Sequence, residues 1–511
     1  MQKNVFLING NNLTVQNSIG IVTSGQKISL HSSSEKNIRA SRDMVEDWIK
    51  NDEVIYGVTT GFGEFKDVKI SQKDLKTLQR NLILSHSAGV GKYVPDVIAR
   101  LMILFRINSL SKGFSGVRTE LINTLIKIFN SDIIPLIPSK GSVGSSGDLS
   151  PLSHLALLLI GEGSCKLNGN ITESRTALRS KKIKPYELSA KEGLAMINGT
   201  QMMSAYICKS VYDAEILSKL SDISGSMSLE ALRGTSKAFS EKLQSVRPHP
   251  GQKKSASNLR KLLKGSEIMR SHKDCGKVQD AYSLRCMPQV HGAVKDTIAH
   301  CKKVLEIEIN SATDNPLLFT ASGEHIEGGN FHGEPLAFIA DFLAIAVSEL
   351  GNISERRTAR LVDGSLSGLP RFLISEGGLN SGLMIAQYTS ASLVSENKVL
   401  CHPASVDSIP TSANQEDHNS MGSVSSIKCY DVINNVKNIL GIEFLCAAQG
   451  IDFLRPLKSG AGTEAAYLYL RKYTKHIYKD LFISEEILNT CKIIYNMDLI
   501  KEVEKITGKL N

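Results

Sequence analysis

Along most of this chain apolar residues recur three and four positions apart, the spacing that lines one face of a helix. In "DVINNVKNILGIE", Val432, Ile433, Val436, Ile439 and Leu440 form such a stripe. "EGLAMINGTQMMSAYICKSVYDAEILSKL" and the run from Pro335 to Leu350 follow the same rule. Several long helices, apolar over much of their circumference, predict a mainly α protein built on a bundle whose central members are enclosed. The first hundred or so residues mix short strand-like pieces with helices, and helical periodicity takes over from about Asp96. Near the start, Asn9-Gly10 between "VFLI" and "LTV" predicts a small hairpin. No repeat or low-complexity linker divides the chain. One continuous unit is expected, with a smaller mixed region over roughly 1–200 and the helical bundle over roughly 201–511.

Composition narrows the function classes. The 511 residues are 41% hydrophobic and 22% charged, as in ordinary globular proteins with a large core. A net charge of +9 is mild at this length. The densest basic stretch, Lys253 to Asp274, lacks interleaved aromatics, so a solvated helix face is expected and no nucleic-acid partner. Asp341 and Glu349 interrupt "PLAFIADFLAIAVSELG", which therefore reads as a buried helix and not as a membrane span. The first residues carry no apolar signal region, and nine scattered cysteines form no CxxC. Reduced thiols in a cytoplasm are the expectation.

The stretch "GSVGSSGDLSPLSHLALLLIGEG" places Ser145-Ser146-Gly147 just ahead of an acid and a long apolar run. Read locally, it is a turn before a helix, with Asp148 or Ser150 as N-cap and Pro151 at the first position. No GxSxG elbow surrounds Ser146. "YGVTTGFGEF" lacks the Gly-Lys-Ser/Thr ending of a phosphate loop and the dinucleotide fingerprint. "GEHIEGGNFHGEP" gathers Glu324, His325, Glu327, His332 and Glu334 without HExxH spacing, so it reads as a polar loop and no metal is expected.

Several polar segments exceed what helix packing needs: "RNLILSHSAGVG", "INGTQ", "RPHPGQ", "VQDAYSLRCMPQVHG", "SATDNPL", "GGNFHGEP" and "TSANQEDHNSMG". Together with SSGDL, and in this order across nearly the whole chain, they resemble the aromatic amino-acid ammonia-lyases. The resemblance implies a fumarase/aspartase-like fold, a long central helical bundle with a smaller mixed N-terminal region. It also implies that the triplet, usually Ala-Ser-Gly, cyclises on itself. The Gly147 nitrogen attacks the Ser145 carbonyl, two waters leave, and the product is 4-methylideneimidazole-5-one (MIO), with no external cofactor. The middle residue must carry a β-hydroxyl to lose, and glycine in third place lets the backbone bend without Cβ clashes. Such an electrophile accepts a substrate amine, a task for which side chains offer no equivalent.

The remaining roles follow from the same resemblance. Tyr56 corresponds to the base that removes the β-proton. A free phenol has pKa about 10, so its ionised form costs about 4 kcal/mol at pH 7, and neighbouring positive charge and peptide dipoles are expected to lower that cost. Gly57, Gly61 and Gly63 would let the loop close over substrate. Arg285 corresponds to the clamp on the substrate carboxylate. Tyr282, Asn198 and Gln279 correspond to residues around the cofactor and the substrate amine or carboxylate, with Tyr282 in a catalytic role, and Phe331 to an aromatic beside the ring. Ser85-His86 matches the pair typical of the histidine-acting branch. Glu416 supplies a carboxylate where phenylalanine-acting relatives usually carry an amide. A buried carboxylate against a bare phenyl ring is costly, so these residues favour an imidazole and hence L-histidine, deaminated to trans-urocanate and ammonia. Relatives are homotetramers in which several subunits build each active site, and the same is implied here. One departure is Ser145, where most of the family has alanine.

Overall fold

The computed structural model describes residues 5–61 and 63–511. The chain forms two compact units. The first comprises Met1–Tyr212, Lys302–Asp341 and Pro403–Ile427, and the second Asp213–Cys301, Phe342–His402 and Lys428–Asn511. Among the described residues every strand belongs to the first unit, in four sheets of two or three strands, and the second unit is helical. The fold is mainly helical, as the periodicity predicts. Its longest helices are Gln201–Ala231, Met287–Glu308, Glu334–Val362 and Gly422–Asp452. Val432, Ile433, Val436, Ile439 and Leu440 are all fully buried in the last of these.

Local expectations fail at three places, each for a tertiary reason. No hairpin forms at Asn9-Gly10, because Phe6–Ile8 pairs in parallel with Ile28–Leu30. "LTV" instead enters the helix Val15–Ser24, where Thr14 and Asn17 form a capping box. The helical run around Asn198 is broken in two, Glu192–Ile197 and Gln201–Ala231, with Asn198-Gly199-Thr200 between. The helix after the triplet begins at Leu149, which puts Pro151 third and not first. Asp148 occupies its N-cap position, yet its carboxylate makes no cap there.

The helix Glu334–Val362 is long and apolar enough to cross a membrane, and 61% of its most apolar stretch is buried. In the first unit its Asp341 accepts from the N–H groups of Ala404 and Ser405, each at 2.9 Å, and from the Ser425 hydroxyl at 3.1 Å. These are the bonds of a helix packed in a protein core. In the second unit the basic stretch begins as the helix Pro250–Leu262. Ser255, Ala256, Leu259 and Leu262 are buried on one side and Lys253 and Lys254 exposed on the other, the expected solvated face. All nine cysteines are free thiols.

Candidate active site

The triplet sits in the first unit, anchored from both ends. Upstream, the Gly144 carbonyl accepts from the Gly333 N–H at 2.9 Å and the Ser420 hydroxyl at 2.7 Å. Downstream, the Asp148 N–H donates to the Gly199 carbonyl at 2.7 Å. Asp148 is fully buried and accepts from the N–H groups of Met202 and Met203, at 2.8 and 3.1 Å, and from the Ser142 hydroxyl at 3.1 Å. It therefore caps the helix that starts at Gln201 and not its own. Burial pushes its carboxyl up to about 7 against the pull of those donors.

Gly147 has φ +71° and packs directly on Gly199. A Cβ there would lie 2.1 Å from the Gly199 carbonyl oxygen, so no other residue fits. Ser145 is buried and its hydroxyl has no hydrogen-bond partner. Ser146 is only half-buried, and its hydroxyl donates to Glu416 Oε1 at 2.6 Å. The Ser146 carbonyl accepts from Asn198 Nδ2 at 2.9 Å. The break in the helical run at Asn198-Gly199 is thus what brings an amide and a bare backbone against the triplet.

Ser145 and Ser146 open on a cleft of about 460 Å³ that is also lined by Tyr56, Phe331 and Glu416. Tyr56 stands on the loop after Glu53, seated over a cluster of Val45, Trp48, Ile55, Val58 and Leu75. Thr59 Oγ1 accepts from the Ile55 N–H at 2.9 Å and donates to the Glu53 carbonyl at 2.6 Å, which fixes the loop's base. Glu416 is held by the Thr411 hydroxyl at 2.7 Å on its other oxygen.

The electrostatics around Tyr56 meet the expectation in part, since a peptide N–H pulls its pKa down. Burial raises its pKa, and Glu327, Glu416 and Asp314 raise it further, against the weaker pull of the Gly63 N–H at 3.5 Å. The charged groups that act most on it among the described residues are all carboxylates. His86 ends the helix Leu75–His86, where Ser85 Oγ meets its Nδ1 at 3.0 Å. Its ring does not line the cleft, yet it feels the Glu416 carboxylate, which opposes the lowering of its pKa by burial.

Gln279, Tyr282 and Arg285 belong to the second unit, and none of them lines this cleft. Tyr282 and Gln279 are exposed, and the Arg285 guanidinium lies 4.6 Å from the Tyr282 ring centre. Several lining residues escaped the sequence reading as individuals, among them Lys66, Asn315 and Gln415, and Glu327 was named only as part of a polar loop. Their signal was position, since Asn315, Glu327 and Gln415 lie in or beside the polar segments singled out. His332, Glu334 and His418 bring ligand atoms within 4.8 Å of one another. Both ring nitrogens of His332 are already engaged, with the Glu334 N–H at 3.3 Å and the His418 carbonyl at 3.1 Å.

Residues 13–472 match the family described as aromatic amino acid lyase. The chain is 50% identical, over 98% of each sequence, to a Caldanaerobacter subterraneus subsp. tengcongensis protein named histidine ammonia-lyase. It superposes on the crystal structure of histidine ammonia-lyase from Trypanosoma cruzi with a TM-score of 0.92 at 43% identity, covering 98% of this chain and 96% of that one. A tyrosine aminomutase from Streptomyces globisporus gives a TM-score of 0.94 at 35% identity, covering 99% and 100%.

Proposed function

The chain belongs to the aromatic amino acid lyase family, and from that premise we propose that it is a carbon–nitrogen lyase converting L-histidine to trans-urocanate and ammonia. The observation that carries the reading is the meeting of Ser146 with Glu416 at 2.6 Å on the wall of one cleft. A carboxylate at the reacting triplet suits an imidazole and penalises a phenyl ring.

The residues fit an MIO group formed in place. Gly147 occupies a cradle with no room for a Cβ, Ser146 presents its hydroxyl to the cleft, and Asn198 Nδ2 holds the Ser146 carbonyl, the one the ring retains. When formed, MIO supplies an electrophile for the substrate amine. Asn198 withdraws electron density from the retained carbonyl through its donated hydrogen bond. Phe331, which lines the same cleft, shields the triplet from water. Tyr56 takes the β-proton, and its basic form needs positive charge from beyond the groups that now raise its pKa. The substrate ammonium is one such charge. Glu416 and His86 select the imidazole. Gln279, Tyr282 and Arg285 contribute through a homotetramer in which several subunits build each site, with Arg285 pairing the substrate carboxylate.

Turnover of histidine, tyrosine and phenylalanine, with identification of each product, tests the assignment. Histidine is expected to exceed the others by on the order of 10²-fold or more in kcat/KM, giving urocanate. Preference for tyrosine, or a β-amino acid as product, would make the protein an aminomutase or tyrosine lyase.

The departure at Ser145 is expected to be neutral. Its Cα and hydroxymethyl group remain outside the ring, and its buried hydroxyl has no partner to lose. Ser145→Ala should keep the two-water mass loss and activity within about tenfold, or about 1.4 kcal/mol. An uncyclised Ser145→Ala protein by intact mass would contradict this.

A further inference from the structure

A charged side chain that the reaction does not use lies directly behind the triplet. Arg106, on the helix Asp96–Leu110, is fully buried. Its Nη1 donates to the Asn198 carbonyl at 2.8 Å and to Gln201 Oε1 at 2.9 Å. Nε and Nη2 are buried without a partner. Asp314, the acid whose charge acts on it, is bound to Lys191 Nζ at 2.7 Å, and both of those side chains are buried. Burial lowers the Arg106 pKa to about 10, which leaves it protonated at neutral pH. A buried cation holding no carboxylate of its own is expensive, and a neutral donor would satisfy one carbonyl at lower cost.

What the guanidinium holds explains the cost. Gly147, Gly199 and Arg106 form a stack with no space for side chains. A Cβ on Gly147 would strike the Gly199 carbonyl at 2.1 Å, and a Cβ on Gly199 would strike Arg106 Nη1 at 2.5 Å and Gln201 Oε1 at 2.6 Å. The 198–199 segment grips the triplet on both sides of Gly147, through Asn198 Nδ2 to the Ser146 carbonyl and the Asp148 N–H to the Gly199 carbonyl. Arg106 is the backstop of that segment.

We propose that Arg106 is a positioning residue for ring closure, fixing the Asn198–Gly199 peptide so that it presses the Gly147 nitrogen toward the Ser145 carbonyl carbon. The proposal rests on the reading of the triplet as MIO-forming. Closure forms a bond from Gly147 N to Ser145 C while the amide proton passes to the carbonyl oxygen. That oxygen leaves as water with the Ser146 N–H proton, giving C=N. The Ser146 hydroxyl leaves as a second water with its Cα proton, giving the methylidene, and no oxidant is consumed. An amide nitrogen is a poor nucleophile, so closure depends on geometry, and a displacement of about 1 Å costs on the order of 10²-fold.

The test is intact mass of the purified full-length chain, followed in time after synthesis, with thermal unfolding measured alongside. Arg106→Met removes charge and donors at similar length, Arg106→Lys keeps charge and a single donor group on a shorter reach, and Arg357→Met serves as control. Arg357 is an equally buried arginine of the second unit, bound to Glu443. The wild-type chain is expected about 36 Da below its sequence mass, by loss of two waters. Arg106→Met should unfold cooperatively yet remain largely at sequence mass, Arg106→Lys should close about tenfold or more slowly, and folded Arg357→Met should show the complete loss even where its unfolding midpoint is lowered. A folded Arg106→Met, or an Arg106→Lys, that closes at the wild-type rate would overturn the proposal. If Arg106→Met does not fold, the Arg106→Lys rate decides alone. A wild-type chain at full sequence mass would overturn the MIO reading itself, a separate and recognisable failure.

Discussion

Ser146→Ala is expected to give a folded protein that no longer turns over histidine, with activity down by about 10³-fold or more, equivalent to about 4 kcal/mol of barrier. Alanine has no β-hydroxyl, so ring closure can expel at most one water and no methylidene forms. The structural cost is small. Ser146 is half-buried, and Glu416, which loses its hydrogen bond, keeps the Thr411 hydroxyl at 2.7 Å and access to solvent. One such bond is worth about 1 kcal/mol. Intact mass, near-UV absorbance, the unfolding midpoint and histidine turnover form the measurement. Turnover within tenfold of wild type would remove the triplet from the chemistry.

The sequence made the fold class and most of this cleft legible for different reasons. The stripe at Val432 to Leu440 reports burial directly, because helix periodicity and a packed core impose the same pattern. Of the residues that share one cleft, Ser145, Ser146, Phe331 and Glu416 were readable only as members of ordered polar segments, and Tyr56 only as the head of a Gly-rich loop. What stayed hidden was set by partners distant in the chain. Nothing near Asp148 shows that its carboxylate turns away from its own helix to the N–H groups of Met202 and Met203. The Asn198-Gly199 break lies inside an apolar run that reads as one helix, and Gly147 and Arg106, both distant in the chain, pack against Gly199 there. The hairpin at Asn9-Gly10 lost to the parallel pairing of Phe6–Ile8 with Ile28–Leu30, and the capping box at Thr14 takes the following residues into a helix. The direction of the Tyr56 shift required knowing that Glu327, Glu416 and Asp314 all face it, which three separate segments decide.

Those same carboxylates give the second large effect, at Glu416. Glu416→Gln keeps the shape, its amide oxygen can accept from one of the Ser146 and Thr411 hydroxyls and its amide N–H donate to the other, so the fold and the two-water mass loss should survive. The charge is what disappears, with two opposed consequences. Tyr56 loses one of the groups that raise its pKa, which makes it a slightly better base. The imidazole loses the carboxylate that orders it, and His86 loses the charge that opposes the lowering of its own pKa. The first effect is small, since burial and not Glu416 is the largest contribution at Tyr56. The second dominates, because substrate in the cleft desolvates the half-buried Glu416, and removing one partner of a desolvated charged pair costs about 2–5 kcal/mol, or roughly 30- to several-thousand-fold in kcat/KM. Phenylalanine has no group for the carboxylate to meet, so its slow turnover should hold or rise while histidine falls. Selectivity, measured as the ratio of the two kcat/KM values on protein whose mass shows the ring complete, therefore separates loss of recognition from general damage. A histidine loss below threefold, or equal losses for both substrates, would mean that Glu416 does not read the imidazole.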